Sequence, residues 1–255
     1  MSRRAAHLLP ALVGFVVLFG AWEAIVRIFD IRKLILPAPS AVWADLARAP
    51  GYWWHHAWVT GLEALLGFFA ALVLALGLAV AMVHSRLAER VILPVLTMIQ
   101  VTPLIALAVP LFILFRGFGL APKVVMATLV TFVPFTANAL TGLRAVDADA
   151  LEVLRAVHAS RLEVLLKLRI PHALPYLFAA ARVGVGLALI GALVAEWSGS
   201  AAGLGYVMIA AKNNFAASAV WAAVAVLTAL GLVATWLLTL LEGRLLRWHP
   251  SRGRN

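Results

Sequence analysis

Apolar runs of about twenty residues or more recur along this chain, separated by short charged connections. A run that long, with almost no ionised side chains, matches the ~30 Å hydrocarbon thickness of a bilayer when coiled as a helix. In lipid every backbone N–H and C=O must find a partner inside its own segment, so such runs fold as helices. Hydrophobic residues make up 64% of the chain and charged residues 13%, about half the share of an ordinary soluble domain. The expectation is an all-α, polytopic membrane protein, with residues 1–255 forming a single transmembrane domain.

About six transmembrane helices are expected: Leu8 to Phe29, Ala57 to Val83, Val91 to Phe115, Leu120 to Leu143, His172 to Trp197, and Phe215 to Leu241. The third and fourth are divided only by Arg116 to Leu120. Arg3 and Arg4 precede the first run as in a secretory signal. However, its apolar stretch exceeds the ~7–15 residues of a cleaved signal and no clear small-residue cleavage site follows, so it is read as a span.

Lys and Arg exceed Asp and Glu by ten. No basic run interleaved with aromatic or polar readers suits nucleic acid, and the positives sit beside apolar runs as orientation signals. With both termini cytoplasmic, the inside segments collect Arg86, Arg90, Arg144, Arg155, Arg161, Lys167, Arg169 and Arg244, with Arg3, Arg4, Arg247, Arg252 and Arg254 near the ends. Arg32, Lys33, Arg48, Arg116, Lys123 and Lys212 remain outside.

Two outer connections follow from that orientation. Leu36 to His56 carries Trp43, Tyr52, Trp53 and Trp54, which suit an interfacial helix and aromatic belt, while His55 and His56 read as surface residues. Gly199 to Asn214 is Gly- and Ala-rich and predicts a short hairpin helix closing the outer end.

The cytoplasmic loop, residues 144–171, is amphipathic. Asp149 with Glu152, and Ser160 with Glu163, have capping-box spacing and predict two short helices meeting near His158. The first presents Leu151, Leu154 and Val157; the second carries Leu162, Leu165 and Leu166; Pro171 is expected to stop it. Periodicity alone leaves two readings open, a helix lying on the membrane interface or a docking element for another protein.

The segment Glu152, Val153, Leu154, Arg155, Ala156, Val157, His158, Ala159, Ser160, leading to Ile170, Pro171 and Leu174, Pro175, resembles the EAA loop of binding-protein-dependent ABC importer permeases. Val153 and Leu154 replace the family's alanines, and His158 stands at its glycine, where a Cβ disfavours a left-handed turn. LPAPSAVWADL from Leu36, LRAVDADALE from Leu143, LPYLFAAARVGVGLALIGALVAEW from Leu174 and GLGY from Gly203 are similar to the nitrate, sulfonate and taurine branch. EWSGSAAGLGYVM looks more like members carrying pyrimidine precursors of thiamin, or riboflavin.

That resemblance implies a type I ABC importer permease fold and an inner-membrane subunit working as a homodimer. Its implied partners are two copies of an ABC ATPase subunit, an external solute-binding protein and the lipid bilayer. Leu151, Glu152, Val153, Leu154, Arg155, Ala156, Val157, His158, Ala159 and Ser160 would then form the ATPase-coupling segment. No G-x-x-x-x-G-K-[ST] phosphate loop occurs, so the chain is not expected to be an enzyme and ATP hydrolysis falls to a separate subunit. No cofactor is expected, and with no cysteine and no clustered ligands, no metal either.

Within the spans, Glu23 and Arg27 lie four apart and can pair; Glu63 and Arg182 are a candidate cross-helix pair; Glu196 is expected at a hydrated outer end. Gly184, Ala188, Gly191, Ala192 and Ala195 form a small-residue stripe suited either to subunit packing or to sliding around a path. Pro94, Pro103, Pro110 and Pro134 free backbone carbonyls and suggest interior-lining spans. The candidate translocation path is Gln100, Thr102, Thr131, Thr136, Asn138, Gly184, Ala188 and Glu196. A secondary transporter or channel would be expected to show inverted repeats, and a membrane hydrolase a buried nucleophile and base; neither pattern is present.

Overall fold

The computed structural model describes residues 3–117 and 119–246, with the side chains of residues 3–9, 11 and 104 excepted. The orientation signals Arg247, Arg252 and Arg254, and the side chains of Arg3 and Arg4, lie outside what is described. Among the described residues the regular elements are all helical. They are α1 (Arg3–Ile28), α2 (Pro39–Arg48), α3 (Pro50–His84), α4 (Arg86–Val101), α5 (Leu104–Leu114), α6 (Leu120–Arg144), α7 (Ala148–Ala156), α8 (Arg161–Val164), a π turn (Leu165–Arg169), α9 (Ile170–Ser198), α10 (Leu204–Asn213) and α11 (Ala217–Leu245).

Among the described residues four helical stretches are long and apolar enough to cross a membrane: α3, α6, Arg161–Ser198 and α11. The expected third span is broken. α4 and the helix after it meet at 106°, giving a fifth crossing if the bent pair counts as one. Thr102 is extended (φ −68°, ψ 130°), as the residue before a proline prefers, and Pro103 has no N–H with which to continue the helix. The expected first span falls in α1, which is not among the four.

The core is a three-helix contact of α3, α6 and α9 built on small residues. Ala64, Gly67, Ala71, Ala75 and Ala79 repeat down one face of α3 and are buried. Gly67 and Gly191 close on Ala127 of α6 from both sides, and a Cβ on Gly191 would stand 2.6 Å from the Ala127 Cα. With lipid as apolar as the interior, close backbone approach and dispersion hold such helices together. Gly184, Ala188, Gly191, Ala192 and Ala195 thus pack within the chain, and Gly184 rests on Phe135 and Thr131. The stripe is therefore not a free subunit face.

Among the described residues four helices end on a non-glycine residue in the left-handed region: Asp30, Arg116, His158 and Phe215. Each is the turn residue of a Schellman end. At His158 (φ +58°) its N–H donates to the Arg155 carbonyl at 2.9 Å, and the Ala159 N–H donates to Leu154 at 2.9 Å. The bend expected of a glycine is therefore held by His158.

The connections expected on the outer side differ in detail from that expectation. α3 begins at Pro50 rather than Ala57, and this carries Trp53 into the core, with Nε1 donating to the Asp45 carbonyl at 3.1 Å. Trp43 and Trp54 stay exposed and Tyr52 partly so, leaving Trp53 out of any aromatic belt. The Glu23–Arg27 pair forms, and Glu23 also accepts from the Ser40 N–H (3.0 Å) and hydroxyl (2.7 Å). It thereby supplies the first turn of α2, whose N-cap Ala38 has no side-chain acceptor, with one.

Candidate functional site

The loop between α6 and α9 forms two helical pieces, as the sequence suggests, but with different details. Asp147, not Asp149, caps α7, accepting from the Asp149 N–H at 3.2 Å. Glu152 therefore has no capping-box partner in Asp149. The second capping box is complete: Ser160 accepts from Glu163 N–H (3.3 Å), and Glu163 accepts from Ser160 N–H (2.9 Å).

The apolar stripe is also rotated from the expected one. Leu151 and Leu154 are half-buried, whereas Val153 (64% exposed), Val157 (68%) and Leu162 (62%) face outward. Leu165 is buried among Ala79, Ala139, Leu143, Ala173 and Leu177, so it anchors the second piece and is not available to a partner. Glu152, Arg155, Ala156, His158 and Ser160 are exposed and Ala159 is half-buried.

Pro171 does not stop the second helix. The Ile170 N–H donates to the Leu165 carbonyl, one residue further back than in an α-helix, and this π turn carries the chain through Pro171 into α9. The wider turn accommodates a residue that lacks an N–H. Arg169 donates to the Leu143 carbonyl at 2.8 Å and Arg144 pairs with Glu89 at 2.6 Å, so the loop's roots are tied to the ends of α6 and α4.

At the opposite end the structure brings together residues that sequence reasoning left apart. Lys123 of α6 donates to Glu63 of α3 and to Ser200, each at 2.7 Å, and both charged groups of the pair are buried. The candidate Glu63–Arg182 pair does not form; Arg182 pairs with Glu242 of α11 instead. Glu196 is 2% exposed rather than hydrated. Three successive amides opening α10 find side-chain acceptors: Gly203 N–H on His56 Nδ1 (2.9 Å), Leu204 N–H on Thr60 Oγ1 (2.8 Å), and Gly205 N–H on Glu196 Oε2 (2.5 Å). Thr60 also donates to Glu196 Oε1 at 2.7 Å.

These contacts satisfy a helix N-terminus that would otherwise be orphaned, and they place a carboxylate at its positive end. His56 is thus a buried acceptor, not a surface residue. The Gly-Leu-Gly sequence has a physical reason: Gly203 is at φ +107°, and a Cβ at either glycine would run into Glu196. Intramembrane Glu63 and the nearby Lys123 were the sequence signal for this cluster, since charges in spans require partners.

Of the eight candidate path residues, the structure sets Thr131 of α6 against Gly184 of α9. Thr131 and Thr136 are fully buried and donate to their own helix, at Ala127 (2.7 Å) and Phe132 (2.8 Å). Thr102 donates to Met98 and Asn138 to Pro134 in the same manner. Gly184, Ala188 and Glu196 belong to the core and to the α10 cap. Gln100 opens on a cavity, a slot of about 270 Å³ between α4, α6 and α9. Among the described residues no cluster could hold a metal ion.

A family model for binding-protein-dependent transport system inner membrane components matches residues 71–247. A probable ABC transporter permease protein of Haemophilus influenzae is 36% identical over 89% of this chain and 92% of its own length. The riboflavin transport system permease protein RibX of Chloroflexus aurantiacus is 35% identical over 95% and 92%. The formylaminopyrimidine transport permease protein ThiX of Halalkalibacterium halodurans is 30% identical over 98% and 100%. In fold, the chain is similar to an inward-facing structure of the MetNI methionine ABC transporter, with a TM-score of 0.67 at 17% identity, covering 74% of this chain and 94% of that one. With the family model, the relatives and the helical fold in agreement, the chain belongs to the binding-protein-dependent transport system inner membrane components, as a membrane-embedded ABC importer permease.

Proposed function

We propose that the chain works as one half of a homodimeric permease that admits a neutral, planar heteroaromatic solute of the thiamin-precursor or riboflavin kind. The relatives named for riboflavin and formylaminopyrimidine, at 35% and 30% identity, support that class. Sulfonate and taurine permeases at 30% and 27% identity make those solutes the second reading. An external binding protein delivers the solute, and both termini lie in the cytoplasm.

In this reading residues 144–171 lie within the single transmembrane domain and face two ATPase subunits. Leu151 to Ser160 form the contact, with Val153 and Val157 entering an apolar cleft and Glu152 and Arg155 at its edge. The observation that carries the reading is the continuity of α8, π turn and α9, 38 residues without a break. The contact segment joins this stretch through the short turn at His158 to Ser160, so a displacement of the docked α7 passes to α8 and from there, without a further break, into α9 as a tilt, and ATP-driven closure of the motor turns α9 and opens the outer end.

Replacing Val153 and Val157 by Arg tests this. The ATPase should no longer copurify with the permease, while the permease itself stays folded in detergent. Undiminished capture together with intact uptake would remove the coupling assignment.

A further inference from the structure

The slot beside Gln100 has a composition that selects a ligand. Its walls are Leu129, Val130, Val133 and Ala137 of α6 and Leu187 of α9, and its one polar side chain is the Gln100 amide. Among the described residues that amide makes no hydrogen bond within the chain, so both its donor and acceptor edges are free to serve a guest. Pro134, also in the wall, has no N–H to offer the Val130 carbonyl one turn before it, which leaves a second acceptor at the same place. No Lys or Arg lines the slot. The wall therefore offers an anion such as a sulfonate no counter-charge.

At about 270 Å³ the slot lies just below the usual range of small-molecule sites. That volume suits one ring with small substituents. We infer that Gln100 and the Val130 carbonyl form a translocation subsite for a neutral, single-ring heteroaromatic carrying adjacent hydrogen-bond donors and acceptors, such as an aminopyrimidine. This rests on the permease reading above and narrows its solute. The ring lies flat between Leu187 and the α6 wall, with its polar edge on the amide. The bend at Thr102 and Pro103 ends α4 just after Gln100 and lets that amide reach the α6–α9 seam.

The test uses the whole importer, with ATPase and binding protein, in liposomes loaded with ATP, and labelled formylaminopyrimidine as probe. Gln100→Ala should raise the half-saturating concentration for uptake about 5- to 10-fold, the loss of one hydrogen bond. Leu187→Trp should fill the slot and cut uptake at least 10-fold. Met98→Ala, on the other side of α4, should transport as the unaltered protein does. ATPase capture reports folding separately and should be equal in all four proteins.

Unchanged uptake in both slot variants overturns the subsite. If the unaltered importer accumulates taurine but not the pyrimidine, the inference fails while the permease reading stands. If it accumulates neither and captures no ATPase, the permease reading itself fails. A variant that loses capture is replaced by Gln100→Glu, which keeps the size and puts a charge in the slot. It should abolish pyrimidine uptake, and unchanged uptake there counts against the subsite.

Discussion

Lys123 reaches from α6 to Glu63 on α3 at 2.7 Å, and both charged groups are shut away from solvent. Two helices that otherwise meet through alanines and glycines are joined here by a contact with a defined register. Removing one partner leaves the other charged and buried, which costs about 3–5 kcal/mol. Lys123→Met should therefore lower the detergent melting temperature sharply, and the Glu63→Leu, Lys123→Met double variant should recover most of the loss. A double variant no better than the single would show that the pair does not act as a unit.

His158 holds a left-handed turn that glycine would hold without a Cβ penalty of about 1–2 kcal/mol. His158→Gly should leave ATPase capture unchanged and hold or raise thermal stability, offset by glycine's greater freedom in the unfolded chain. His158→Val, β-branched at a positive φ, should lower both. Equal behaviour of the two variants would mean that the bend is not what positions α7.

Pro171 is predicted to maintain the π turn. Pro171→Ala restores an N–H and lets the turn relax to α-helical spacing, rotating α8 by about one residue, ~100°, relative to α9. Uptake should fall several-fold while ATPase capture persists, measured on the same preparation. Retained uptake would argue against rigid transmission through α9.

Gly191 closes on Ala127 with no room for a side chain. Gly191→Ala should destabilise the bundle by about 1–3 kcal/mol, the usual cost of overpacking. Melting in detergent reads this directly, and Gly186→Ala, whose Cβ would meet nothing within 4 Å, is the matched control.

Local patterns were legible in the sequence and distant pairings were not. Ser160 and Glu163 stand three apart, and their reciprocal cap forms as spacing predicts. Asp149 and Glu152 have the same spacing, yet Asp147 takes the cap, because nothing in the spacing fixes which of two nearby acids stands at the boundary. Lys123 and Glu63 are 60 residues apart, and Thr60 and Glu196 are 136 apart, so no periodicity could join them. His56 looked like a wet surface residue because α3 was expected to start at Ala57; an earlier start turns it onto the Gly203 amide. The π turn inserts a single residue into a helical repeat, too small a shift for the leucine pattern of this loop to reveal, and Pro171 there read as a stop.

The coupling assignment can be probed most directly with a single cysteine, since the chain has none of its own. Val157→Cys, in membrane vesicles of known sidedness, should react with a membrane-impermeant maleimide added from the cytoplasmic face and be shielded when the ATPase is bound. Labelling only from the outer face, or labelling that the ATPase does not change, would contradict it.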